Sequence, residues 1–305
     1  MLNLSSIFTA IDGTPQVPIM SMICMATTLA LAVVPPIFAI RHAKKKYQGS
    51  LKSLLFGLAM YVIFEFIILS VVTAAWKNIE VVSNNKVLMA VLEAFLTGFM
   101  GIFARGIMIF AVAKSRLMDN SNSIGNAAIA GVGYTLYRTL LIMIIVGQRF
   151  VLALTMNMFG IGNLTQDMPE EELEGIADLY EAFLTTPAYM FLIDGIKYLM
   201  VLAISVSLAV IIYAVYNKKA HRLLIVFALL LNVLFELPFA FNYYGIVFTN
   251  ELVMLLVSAL FTLWMVMLAY KTKNVSLKEE VKAREAEIKN AKKQAFPDFN
   301  ANIKK

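Results

Sequence analysis

The sequence predicts an all-α protein, a polytopic transmembrane helix bundle. It has about seven spanning helices (seven to eight), with the N-terminus outside and the C-terminus inside. Three observations carry this. Hydrophobic residues make up 60% of the 305-residue chain and charged residues only 15%, where soluble domains carry about 25%. Mean hydropathy is +0.76. The apolar residues also gather into runs long enough to cross a ~30 Å hydrocarbon core, which takes roughly 20 helical residues.

The seven runs fall at 17–40, 52–75, 86–112, 124–148, 186–216, 222–243 and 250–270. Pro35 and Pro36 predict a kink or stop near the end of the first. The fifth is long enough to tilt. Basic residues follow the odd-numbered runs: Arg41 and Lys44 to Lys46, then Lys114 and Arg116, then Lys218, Lys219 and Arg222, then Lys271 and Lys273. The alternate loops are poor in them. That asymmetry places the odd-to-even loops in the cytosol.

Three regions follow. Residues 1–16 are an extracellular segment. They hold no basic residue ahead of the first apolar run, so no signal cleavage is expected. Residues 17–272 are the membrane domain, with an acidic extracellular excursion at 149–185. Residues 273–305 are a charged cytosolic tail. Within the excursion, glycines at 147, 160 and 162 are expected breaks. PEEELEGIADLYEAF then reads as an amphipathic helix with Pro169 near its first turn. It is expected over the outer mouth of the bundle, as a solvated cap, a lid or a docking element. In the tail, Ser276 and Glu279 have capping-box spacing for a short helix or a continuation of the seventh run. The end from Phe296 reads as disordered.

The composition excludes several chemistries. One cysteine, Cys24, allows no internal disulfide. The two histidines, His42 and His221, lie among basic residues in loops. Zinc takes three or four His, Cys, Asp or Glu ligands, so no metal and no cofactor is expected. Serine chemistry would need a base, and no histidine lies at depth. Ser205, Ser207 and Thr135 are expected to bond back to their own helices. The net charge of +6 lies beside the membrane runs, which suits anionic lipid and not nucleic acid.

The informative residues are charges inside the runs. Glu65, Arg138 and Glu236 each lie about 14 residues from the cytosolic end, roughly 21 Å deep at ~1.5 Å per residue. Asp194 and Lys197 are spaced to meet on one helix face, as are Asn232 and Glu236. Glu93 and Arg105 sit toward the outer and inner ends of the third run. Each unpaired charge costs about 2.5–3.5 kcal/mol on insertion scales. Ion pairs are therefore expected, Arg138 with Glu65 or Glu236 and Asp194 with Lys197. The binding or polar-cavity set is Glu65, Arg105, Tyr134, Arg138, Asp194, Lys197, Asn232 and Glu236. It reads either as a network fixing helix register or as a functional cavity. In GVGYTLYR at 131–138, Gly131 and Gly133 should let other backbones come close. Tyr134 and Arg138 share one helix face.

Four stretches resemble the YhfC family of bacterial membrane proteins, with the layout of residues 17–270: GFMGIFAR at 98–105, GVGYTLYR at 131–138, TPAYMFLIDGIKYL at 186–199 and NVLFELP at 232–238. That family is grouped with glutamic-type intramembrane proteases, alongside the CAAX-prenyl proteases and PrsW-like proteins. The resemblance implies catalytic positions at Gly101, Ile102, Tyr134, Arg138, Lys197, Ser205 and Asn232. Where the family has paired glutamates, this chain has Gly101 and Ile102. Where the family has a histidine and then a glutamate, it has Tyr134 and Arg138. Lys197 stands at a glutamate position and Ser205 at a histidine position. Asn232 and Glu236 stand for a histidine and an aspartate, while Arg105 is kept.

The resemblance thus implies a protease scaffold without its catalytic residues, acting as a binding or scaffold subunit. Its expected partners are the bilayer and a membrane protein, peptide or lipid. The alternatives are an active hydrolase using displaced carboxylates among Glu65, Glu93 and Glu236, or a transporter or channel subunit.

Overall fold

A computed structural model describes residues 16–116, 123–165, 169–246 and 250–295, with side chains described up to Asn274 apart from those of Asn163, Leu164, Glu170 and Glu171. The expectations for residues 1–15 and for the end beyond Ala295 lie outside the described residues. Ten helices occupy the described residues: α1 (Ile19–Tyr47), α2 (Ser53–Lys77), α3 (Glu80–Ser83), α4 (Lys86–Lys114), α5 (Ile124–Phe159), α6 (Ile161–Thr165), α7 (Glu170–Thr185), α8 (Met190–Tyr216), α9 (Leu223–Tyr243) and α10 (Glu251–Ala295). Seven of them, α1, α2, α4, α5, α8, α9 and the Glu251–Asn274 part of α10, are long and apolar enough to span a membrane. The protein is a multi-pass membrane protein. Its exposed large hydrophobics, such as Phe38, Phe66, Phe99 and Leu256, face the lipid that those spans require.

Several helices outrun their sequence signals. α1 passes through Pro35 and Pro36 and ends at Tyr47, with Gln48 in the left-handed region at φ 53°. Of the expected kink or stop, the stop does not occur. In hydrocarbon, ending a helix strands more backbone groups than two prolines remove. α5 likewise runs through Gly147 and breaks only at Gly160, where φ is 76°. α10 crosses the Ser276–Glu279 spacing without a start, so the capping box is not used. Caps do operate where chains enter helices. Asn85 Oδ1 accepts from Leu88 N at 3.0 Å, and Ser123 Oγ accepts from Asn126 N at 3.1 Å.

The core centres on α8 and α5. α8 packs against α1, α4, α5, α9 and α10, while α5 packs against α1, α2, α4 and α8. Glycines set the spacing on two sides of α5. A Cβ on Gly131 would stand 2.9 Å from Ser205 O and from Val206 Cα of α8, and one on Gly133 would overlap the Leu54 backbone of α2. From the other side, a Cβ on Gly57 would overlap Ala130 O. At the loop joining α1 to α2, buried Asn126 accepts from Ser50 N at 2.6 Å and Ser53 Oγ at 3.1 Å.

At the opposite end of α5, α7 packs beside the start of α1. Phe183, fully buried, and Tyr180 join Val17, Met25, Val146, Ala153 and Met156 in one cluster. Asn157 clamps Val17 through both its backbone N–H (2.7 Å) and its C=O (2.9 Å). The predicted amphipathic helix is therefore present, with its apolar side docked.

Candidate functional site

The site begins with a local irregularity. The middle of α2, Val62–Leu69, is π-helical. Such wide turns are rare and concentrate at functional sites. This one carries Glu65. Its carboxylate meets Arg138 of α5, with Oε2 3.6 Å from Nη2. That is an ion pair, slightly longer than a hydrogen bond. Glu65 is the more enclosed partner, with 10% of its side chain exposed against 37% for Arg138.

Glu65, Arg138 and Glu236 line one small internal cleft, as their shared depth predicts. Arg105, Tyr134 and Asn232 complete the predicted part of its wall, with Tyr61, Thr97 and Thr135 beside them. Its volume, counted as space open to the centre of a water molecule, is about 10 Å³, enough for roughly one water.

Arg105 is held from several directions. It is only 4% exposed. Nη1 donates to Gly101 O at 2.8 Å and Nε to Ser205 Oγ at 3.3 Å. The guanidinium carbon lies 3.9 Å from the Tyr134 ring centroid, a cation–π contact in a desolvated setting. Ser205 Oγ in turn donates to Gly131 O at 2.8 Å. This serine bridges to a neighbouring helix and does not bond back to its own, contrary to the sequence expectation. Close packing at Gly131 brings the α5 carbonyl within its reach. Thr135 does bond back, to Val132 O at 2.9 Å.

Gly101 has a steric reason. A Cβ there would stand 2.8 Å from Arg105 Nη1 and 3.3 Å from Asn232 Nδ2. Asn232 Nδ2 donates to Gly98 O at 3.1 Å, tying α9 to α4. The Tyr134 ring is also gripped edge-on by Tyr61, with centroids 5.5 Å apart. Its hydroxyl nevertheless has no hydrogen-bond partner, although the residue is 1% exposed. A buried, unpaired phenol on a cleft wall is an open donor.

Two residues of the predicted polar-cavity set, Asp194 and Lys197, are not part of this cleft. No ion pair joins Asp194 and Lys197. Asp194 lines a separate cavity of about 170 Å³ with Arg149, Phe183 and Thr186. Lys197 Nζ instead lies 5.7 Å from the Phe239 ring centroid on α9. Spacing of three residues permits a helix pair without requiring it, and here each side chain meets a different neighbour. Ile102, also an expected catalytic position, packs among the apolar residues of α4, α8 and α9 and is absent from the cleft wall.

Sequence reasoning missed Tyr61 and Thr97 as wall residues. Thr97 lies four residues from both Glu93 and Gly101, a spacing that would have revealed it. A wider groove of about 230 Å³ adjoins the cleft, sharing Thr97 and Glu236 with it, and adds Glu93, Phe239 and Tyr243. At its rim, the Tyr244 hydroxyl donates to Glu93 Oε2 at 2.6 Å.

The model of the family described as YhfC intramembrane metalloprotease matches residues 30–258. The chain belongs to the YhfC family. The match spans all seven membrane helices at least in part and includes every wall residue of the cleft. It identifies the family, without bearing on the wider grouping with glutamic-type proteases. No curated protein and no solved structure matches the chain.

The YhfC description implies a metal, and the donor chemistry can be tested against it. Zinc takes three or four His, Cys, Asp or Glu ligands. The cleft wall has two carboxylates, Glu65 and Glu236, and no imidazole or thiolate. Among the described residues, no three such side chains gather at any point. Two guanidiniums on the same wall oppose a dication. These residues do not fit a catalytic metal.

Proposed function

We propose that this YhfC protein is a pseudoprotease, which keeps the intramembrane cleft of its family as a binding site for a membrane partner, a peptide or a lipid. One observation carries the reading. The wall pairs two carboxylates with two guanidiniums, and the remaining polar groups are phenol, hydroxyl and amide. A hydrolytic centre of the family's kind needs either a metal or a free base with an imidazole partner. Here Arg138 stands at a position where the resemblance implies glutamate, and its charge engages Glu65.

The test is a cleavage assay. Purified protein in nanodiscs is incubated with transmembrane peptides and the products are read by mass spectrometry. No cleavage is expected, while crosslinking to a cleft residue retains the bound peptide. Cleavage that vanishes in Glu65→Gln or Glu236→Gln would sink the proposal.

That second outcome corresponds to a specific alternative. Glu65 and Glu236 converge on a cleft the size of one water, which suits metal-free acid–base hydrolysis. A transport role has less support. Buried Met108, Ile109, Val112, Ile212 and Tyr213 pack the bundle solidly beyond the cleft, at the cytosolic end in the predicted orientation.

A further inference from the structure

The groove between α4 and α9 carries charge that the cleft does not balance. Within the cleft, Glu65 and Glu236 face Arg105 and Arg138, two charges of each sign. The adjoining groove adds Glu93 to Glu236, along with the aromatic rings of Phe239 and Tyr243. Lys197 stands beside it, 5.7 Å from the Phe239 ring centroid, and no salt bridge joins it to either carboxylate. The Tyr244 hydroxyl occupies one oxygen of Glu93. Two carboxylates flanked by aromatic faces suit an organic ammonium, which gains from both kinds of contact.

A second, independent observation lies at the inner end of the same path. The Tyr134 hydroxyl is buried on the cleft wall and has no partner. Beside it, Arg138 meets Glu65 at 3.6 Å and neighbours the Tyr61 hydroxyl, and its fork keeps further N–H groups to offer. A phenol and a guanidinium offer hydrogen bonds to a single acceptor oxygen. The cleft has room for one such oxygen and no more. The polar path therefore runs from a place for a cation to a place for an acceptor, joined at Glu236 and Thr97.

We propose that this groove and cleft together bind a primary ammonium carried beside an acceptor oxygen, with the ammonium between Glu93 and Glu236 and the oxygen reaching Tyr134 and Arg138. The inference rests on the cleft being a binding site and names the chemistry of what it binds. Two sources share that chemistry. One is the free amino terminus of a peptide with its first carbonyl. The other is an ethanolamine headgroup with its phosphate oxygens, of which only one would enter the cleft.

The experiment measures dissociation constants on full-length protein in phosphatidylcholine nanodiscs. The probes are an apolar tripeptide amide with a free amino terminus, the same peptide N-acetylated, and dioleoylphosphatidylethanolamine added as competitor. The free amine should bind at least about tenfold more tightly than the acetylated form, the size of one charge-assisted contact. Glu93→Gln and Glu236→Gln should each weaken it roughly tenfold, and Lys197→Met should tighten it by removing a like charge. Tightening in Lys197→Met also keeps the test informative should a glutamate variant fold poorly.

Displacement of the peptide by the ethanolamine lipid assigns the lipid source, and its absence assigns the peptide. Equal binding of free and acetylated peptides overturns the ammonium assignment but leaves the binding site standing. No binding of any probe to the wild-type protein overturns both.

Discussion

Arg105 and Arg138 are both guanidiniums inside a bilayer, yet their surroundings differ. Arg105 is enclosed by a carbonyl, a hydroxyl and an aromatic face. It acts as an internal strut between α4, α5 and α8. Arg138 lies on the cleft wall with Glu65 at 3.6 Å and Tyr61 beside it. Burial with several contacts gives the first a structural role, and the proposed binding role falls to the second. Arg105→Lys would keep the charge but lose the planar fork and the stack on Tyr134. We expect it to lower unfolding stability by about 1–3 kcal/mol, measured by denaturant titration in mixed micelles. An unchanged midpoint would contradict the strut. Depth counting made Glu65, Arg138 and Glu236 legible in the sequence, because helical rise fixes height. It could not foretell Asp194 and Lys197, because height does not fix the direction a side chain takes.

At the scale of the element, the tightest glycine approaches involve α5. Gly133 and Gly57 lie on the α2 side, where an added Cβ would meet the facing backbone. Backbone cannot move aside as a flexible side chain can. Gly57→Ala and Gly133→Ala should each cut the yield of monodisperse protein and lower the melting temperature. Gly147→Ala, with nothing within 4 Å of the added Cβ, should be neutral or stabilise by about 0.5–1 kcal/mol, since alanine is the better helix former. Comparable losses in all three would show that helix propensity, and not spacing, governs these sites. The glycine contacts at 131 and 133 were legible because small residues in an apolar run invite close packing. The π-helical turn that carries Glu65 was not. VIFEFIIL is apolar on every face but one, so no periodicity betrays a change of helical pitch.

For the whole molecule, the seven spans were legible from length and hydropathy alone. The cleft required helices distant in sequence to converge, and only its charges announced it. The polar path opens at the end of the bundle where α4 begins and α9 finishes, and it stops at the packed residues around Met108. In a Cys24→Ser background, Thr97→Cys should react with a membrane-impermeant thiol reagent from the face that carries the loop after α9, and Met108→Cys from neither face. Labelling of Thr97→Cys from both faces would mean a through-path and would revive a transport role.

α10 gives the molecule a reach that the cleft alone does not suggest. It runs on past the basic residues Lys271 and Lys273 without a break to Ala295, a projection of about 30 Å. A stiff rod anchored in the bundle works as a lever. A tilt of about 10° at its root would displace the far end by roughly 5 Å over that length. Sub-ångström adjustments among α8, α9 and α10 around a ligand would thus arrive in the aqueous phase already amplified.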